Sequence, residues 1–430
     1  MKYQLNILLF FLMSYCSAQD GDDYFKPDFM RFENHVYVPY IQTVLLEKDG
    51  QALSDPVIIL NSGEALRLQF DLLEDEIRDF SYRLVHCTSE WRPSPISESD
   101  FIDGFYSDHI TDYKHSLNTR QDYWHYQLLF PNQQLKPLLS GNYLLVVYNH
   151  SDPDSIVLTR RFYVAEPRVE LQANIHRATL IELRNSHQEA DFSVFLKGLR
   201  LNNPYAELKT LILQNGNYNN KAHGLKPLFA TSEQLDFNLE EGNVFEGGSE
   251  YRPLDLRTTR FLTQTIERFS EDSIGQGLTA VLKPDRKLAT QRYSSADDIN
   301  GKFLVKVYEG RDGHLEGDYL NVHFRLLSAL PESASSVYLE GGFSPDHPNQ
   351  RFRMNYNPAC ACYELTILLK QGYYNYRYVQ LDATGTYSVL ETEGSHYETR
   401  NEYDFFVYWQ EPGSRHEKLI GYKKVQAGGF

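Results

Sequence analysis

The chain has four cysteines in 430 residues, too few for a disulfide-dense secreted scaffold. Beyond its amino terminus it has no apolar run long enough to span a bilayer. It contains no Gly-x-Ser-x-Gly elbow, no Gly-rich phosphate loop opening a helix and no His-Glu-x-x-His pair. These gaps remove the common signatures of serine hydrolases, nucleotide binders and zinc proteases. Positive charge is also short: 42 Lys and Arg against 58 Asp and Glu give a net charge of −16. That balance argues against a nucleic-acid partner and against docking on anionic lipid through a basic patch. The 14 histidines are scattered rather than grouped at metal-ligand spacing.

Residues 1–18 read as a secretory signal peptide. Lys2 gives a positive start, residues 5–13 are mostly apolar, and Cys16-Ser17-Ala18 precede Gln19 as a small-residue cleavage site. A lipoprotein reading would make Cys16 the lipidated residue, but bulky Tyr15 precedes it. The mature chain is expected to be exported and soluble, with no direct membrane insertion. Its 31 Tyr and 25 Phe suit pleated, half-buried surfaces. With frequent alternation and few helix-period runs, they predict an all-β chain of tandem immunoglobulin-like/early-set β-sandwich domains.

Turn signals and linkers divide the chain into three. A first β-sandwich is expected over 24–166, with a long loop at 88–122, and Glu166-Pro167 ends it. A second is expected over 167–329. A small-residue linker around Pro331 leads into a third, early-set-like unit over 330–430. That third unit resembles early-set sandwiches, including glycogen-binding-type modules. Phe343 is followed by Ser344-Pro345-Asp346-His347 and no Trp, so the sugar platform is missing.

The long loop holds the candidate partner contacts. Ser94 before Pro95 predicts a helix start and Gly104 a stop. Trp91, Phe101, Phe105 and Tyr106 could anchor a protein partner or form the loop's own small core. His109, Asp112 and His115 invite a metal, yet loop-fixing hydrogen bonds explain them better. Asp100, Asp103 and Asp108 could supply a glycosidase carboxylate pair only if the fold brought two together. No catalytic, cofactor-binding or metal residue is expected, and no cofactor. After cleavage three cysteines remain, Cys87, Cys360 and Cys362, so at least one is free. Two residues apart on a strand, Cys360 and Cys362 would be poorly placed to bridge each other. Buried small apolar residues are the favoured reading of all three. Asp154-Ser155-Ile156 and Asp272-Ser273-Ile274 resemble the Asp-Ser/Thr-aliphatic triplet of O-glycosylated Bacteroidetes proteins, making Ser155 and Ser273 candidates.

Taken in order, several runs carry a family resemblance. They begin with His86-Cys87-x-x-Glu90-Trp91-x-Pro93-Ser94, Gly104-Phe105 and Asp112-Tyr113-x-x-Ser116-x-Asn118-Thr119. Next come His125-Tyr126-x-Leu128-x-Phe130-Pro131-Asn132, Ser140-Gly141-Asn142-Tyr143 and Thr159-Arg160-Arg161-Phe162. Late in the chain follow Leu368-Leu369-Lys370-Gln371-Gly372-Tyr373-Tyr374-Asn375-Tyr376, Glu393-Gly394 and Glu398-Thr399. Together they resemble the plug proteins of the Bacteroidetes type IX secretion system. Glu90 stands where that family usually has Asp, which keeps the charge. The resemblance implies a non-enzymatic periplasmic protein, peripheral to the outer membrane through its partner. That partner would be the translocon barrel, whose periplasmic pore end the protein closes. An exported glycan-binding protein is the alternative.

Overall fold

The computed structural model describes residues 29–271, 277–332, 335–347 and 349–427. The expected signal peptide, Cys16 and Ser273 lie outside the described residues. Among the described residues, no helix is long and apolar enough to cross a membrane. The architecture is all-β, built from facing sheets, as the aromatic content and alternation predict.

The first sandwich has two sheets. One runs His35–Val36, Ile156–Ala165, Gly141–Asn149, Phe80–Cys87 and Ser107–Ile110, with Val57–Ile59 pairing Ile156–Ala165 in parallel. The other runs Ile41–Lys48, Leu66–Leu72, Trp124–Phe130 and Asp112–His115. Leu68, Phe70, Tyr126 and Phe130 meet Tyr82, Leu84, Tyr143, Leu145 and Phe162 between them. Three short strands, Ile102–Gly104, Ser107–Ile110 and Asp112–His115, interrupt the expected loop. Its helix is one turn, Glu98–Phe101, starting after Ser97 rather than Ser94. Ser107–Ile110 then extends the first sheet, and Asp112–His115 extends the second. The chain crosses from one sheet edge to the other at Thr111, so both sheets end on this segment.

The later boundaries need correction. Leu208–Gln214 pairs with Glu402–Trp409, which pairs with Lys418–Gln426. These strands face the sheet of Glu170–Arg177, His187–Phe195 and Gln234–Phe237. Leu171, Phe192 and Phe237 share one core with Phe405, Val407 and Ile420. The second sandwich is therefore made of two separated stretches of chain. Between them sits an inserted sandwich whose core includes Leu254, Phe303, Val322, Phe324, Tyr374, Tyr376 and Tyr378. Strands within 167–329 thus belong to two cores, and so do strands within 330–430. At Gln371-Gly372 the chain passes from the Cys362–Lys370 strand to Gly372–Asp382 in the facing sheet. A Cβ on Gly372 would lie 2.6 Å from the Leu304 carbonyl oxygen, so the corner has room only for glycine.

Cys360 and Cys362 form a disulfide with Cα atoms 5.3 Å apart, contrary to the strand-based expectation. They flank Ala361, whose φ is +50° at a turn, so the two are not alternating strand residues. Cys87 is the free cysteine of the described residues, and burial pushes its thiol up to about 12.

Candidate functional site

The four loop aromatics separate. Trp91 is 5% exposed and Phe101 is buried, whereas Phe105 is 64% and Tyr106 47% exposed. Phe101 packs into the first core near His86 and Tyr143. Trp91 belongs to a different cluster, in which Cys87, Leu144, Val146 and Tyr163 meet Leu211, Leu213, Phe406 and Leu419 of the second sandwich. Neither ring is free to anchor a partner. Phe105 and Tyr106 remain on the surface between the short strands Ile102–Gly104 and Ser107–Ile110.

The turn that carries Trp91 is tied to the sheet behind it. Thr88 N–H donates to the Arg92 carbonyl and Trp91 N–H to that of Thr88. Beside it, the Ser140 carbonyl lies 3.3 Å from His86 Nε2 and can only accept, so Nε2 holds the proton. Nδ1 then accepts from the Ser94 hydroxyl at 2.7 Å. Burial holds the imidazole down at about 4, neutral at ordinary pH. Ser94→Ala is expected to leave Nδ1 without a donor and cost ~1–3 kcal/mol, read as a lower denaturation midpoint with the fold retained.

Around Trp91 the three sandwiches meet. Its indole N–H donates to Tyr218 Oη of the second sandwich at 2.5 Å. The Arg161 guanidinium lies 4.6 Å from the Trp91 ring and 4.0 Å from that of Tyr218. Arg161 also pairs with Asp346 of the inserted sandwich at 3.2 Å. Asp346 receives both the backbone and side-chain N–H of Asn34, and its carbonyl accepts from Asn219 of the second sandwich at 2.6 Å. Charge, ring and backbone thus link all three cores within one small region.

A second joint ties the first sandwich to the inserted one. Asp71 and Lys370 are both buried, with Nζ 2.6 Å from Oδ2. Tyr319 donates to the same oxygen at 2.6 Å, and His125 Nδ1 to the other at 2.7 Å. Lys370 also donates to the His314 carbonyl at 2.6 Å and sits 4.0 Å over the Tyr123 ring. Burial alone would raise Asp71, but Lys370 and His125 hold it below the usual carboxylate range. A carboxylate, an imidazole, a lysine and a phenol in contact resemble a reaction centre in composition. All of them are buried in the joint, so no substrate reaches them, and their work is to hold two sandwiches together.

Between the joints lies a cleft of about 360 Å³. Its lining includes His35, Gln42, Arg160, Lys302, Phe343 and Arg351. Asp55, Glu340 and Asp346 on its wall each pair with a cation. Arg160 donates from one nitrogen to the carbonyls of His35 and Thr159 and, among the described residues, bonds no carboxylate. Burial brings Arg160 down to about 10. None of the four loop aromatics lines this cleft.

The other sequence candidates are dispersed. His109, on the first sheet's edge, meets His150 edge to face, while Asp112 and His115 are on the opposite sheet's edge. Asp100 accepts from Ser97 N–H, Asp103 pairs with Lys136, and Asp108 accepts from His109 N–H. No carboxylate pair forms among them. Ser155 is half-buried in a turn and its hydroxyl accepts from the Asn149 side chain at 2.6 Å.

The family described as Type 9 secretion system plug protein 1st domain matches residues 41–166. The crystal structure of a hypothetical protein from Parabacteroides merdae superposes with a TM-score of 0.89. It is 30% identical, and the match covers 93% of this chain and 100% of that one. A match to dimeric latent PorU from Porphyromonas gingivalis has 10% identity and a TM-score of 0.15, covering 91% of this chain and 34% of that one; it carries no argument. No curated protein matches the sequence.

Proposed function

The chain belongs to the type 9 secretion system plug family, and from that footing we propose that it is a non-enzymatic periplasmic plug. On this reading it docks on the periplasmic end of the outer-membrane translocon pore and closes it. The observation that carries the reading is the family match over the first sandwich. The packing supports it. A stopper has to present a broad, stiff surface, and stiff bodies lose little conformational entropy on docking. Two joints, one of them wholly buried, and a shared core between the first and second sandwiches supply that stiffness. The glycan-binding alternative draws nothing from Phe343, which packs on Phe352 and Tyr374 beside the inserted core rather than standing as a platform.

Phe105 and Tyr106 are the docking residues of this proposal, because of the four candidate rings they are the two left in solvent. Replacing both with Ala is expected to change stability by no more than about 0.5 kcal/mol per site, since neither fills a core. Recovery of the translocon barrel with the tagged protein should fall sharply. Undiminished recovery would move the contact elsewhere. Failure of the unaltered protein to recover any export channel would overturn the plug reading itself.

A further inference from the structure

The outer face of the second sandwich carries side chains that the docking reading does not use. On Glu170–Arg177, alternation sends Leu171 and Ile175 to the core and His176 to the other face. On His187–Phe195, Gln188 and Ala190 turn inward while Glu189 and Asp191 share the face of His176. His176 lies directly opposite Glu189, and Asn174 opposite Asp191. The imidazole Nε2 is 2.9 Å from Asp191 Oδ2 and 3.9 Å from Glu189 Oε1.

Each of the three is held from behind. His176 Nδ1 is 2.8 Å from the Arg177 carbonyl oxygen, which only accepts, so Nδ1 carries a proton. In the neutral ring the lone pair is therefore on Nε2, facing both carboxylates. Thr179 donates its amide to Glu189 Oε2 at 2.7 Å and its hydroxyl to Oε1 at 3.2 Å. Asn243 donates its side-chain amide to Asp191 Oδ1 at 2.9 Å. Such outer hydrogen bonds orient the ligands of a protein-bound metal.

Charge balance makes the same demand. Glu189 is 1% exposed, and among the described residues no Lys or Arg pairs with it or with Asp191. Two carboxylates face one imidazole, and a buried anion needs a counter-charge. Next to Asp191, the wholly buried Asn243 has a side-chain oxygen with no hydrogen-bond partner. A protonated His176 would offset one of the two negative charges and leave the other.

We propose that His176 Nε2, Glu189 Oε1 and Asp191 Oδ2 bind one divalent transition-metal ion, zinc by ligand type, departing from the sequence expectation of no metal site. The three ligand atoms lie within 4.8 Å of one another. Ligands around tetrahedral zinc stand roughly 3.3 Å apart. The two pairs that include His176 open and close by about half an ångström, and the two carboxylate oxygens close by up to about 1.5 Å, within reach of side-chain adjustment. The His176 side chain is partly exposed, which gives the ion a path from solvent and leaves a fourth position for water. The bound ion ties the two strands of this hairpin together.

The test is calorimetric titration of the chelator-stripped mature chain with zinc chloride, with magnesium and calcium chloride as controls. One zinc per chain is expected, at a Kd of about 1 µM or below, with a raised unfolding midpoint. His176→Ala and Asp191→Asn should each weaken binding at least about tenfold. Asp191→Asn conserves shape, so it keeps the test open if His176→Ala folds poorly. No stoichiometric zinc on the parent, or folded variants that bind as tightly as the parent, would overturn the proposal. The second outcome would place the ion away from these three side chains.

Discussion

Lys370→Ala is expected to destabilise the protein by ~3–5 kcal/mol, the cost of leaving a buried charge without its partner. Lys370 is wholly buried, and its ammonium meets Asp71 from the other sandwich at 2.6 Å. Removing it strands the Asp71 carboxylate with only the Tyr319 and His125 donors. The measurement is the urea midpoint, compared with Asp71→Leu and with the double replacement Asp71→Leu, Lys370→Met. Residues in one network do not add. The double variant, with both charges gone and the volume mostly kept, should lose much less than the two singles summed. Additive losses would show that the pair does not act as a unit.

The same joint sets an acid limit. Asp71 is held below the usual carboxylate range when folded. A group with a depressed folded value contributes stability that is present above its unfolded value and fades as pH falls through the folded one. The joint should therefore be intact at neutral pH and weaken below about pH 4. In Asp71→Asn this part of the acid dependence should disappear, visible as a flatter plot of midpoint against pH.

How far the sequence could be read varies with what each residue meets. Runs rich in aromatic and apolar residues such as Phe80–Cys87 and Glu402–Trp409 announce themselves because both faces of the strand are buried. Asp112–His115 does not, because all four residues are exposed and an edge strand needs no apolar face. That Glu402–Trp409 is a strand is legible; that its partner is Leu208–Gln214 is not, since pairing across so much chain leaves no local mark. The missed second boundary follows from that single pairing. Lys370 reads as a surface residue after Leu368-Leu369, and only Asp71, far earlier in the chain, accounts for its burial. The metal candidate is hidden in the same way: His176, Glu189 and Asp191 match no ligand spacing and meet only through strand register. Even Trp91, legible as important, was assignable to a partner or to a core until the second sandwich closed over it.

Trp91→Ala is expected to cost ~3–5 kcal/mol, the usual range for truncating a buried aromatic side chain. Part of the loss is the cavity left against Tyr163 and Tyr218. The rest comes from neighbours that depend on the ring. Tyr218 loses the indole donor, and Arg161 loses one of the two rings on which it lies. Since Arg161 also grips Asp346, the damage reaches the inserted sandwich, which Trp91 itself does not touch through this network. Trp91→Phe separates the contributions: it keeps most of the ring and drops the N–H, and should cost about 1–2 kcal/mol. Limited proteolysis supplies a second readout. If the junction locks the three sandwiches together, Trp91→Ala should speed cleavage between them while Trp91→Phe stays close to the parent. Equal cleavage rates in parent and Trp91→Ala would mean that the sandwiches are held by the Asp71–Lys370 joint and the shared apolar core alone, and that this ring only fills space.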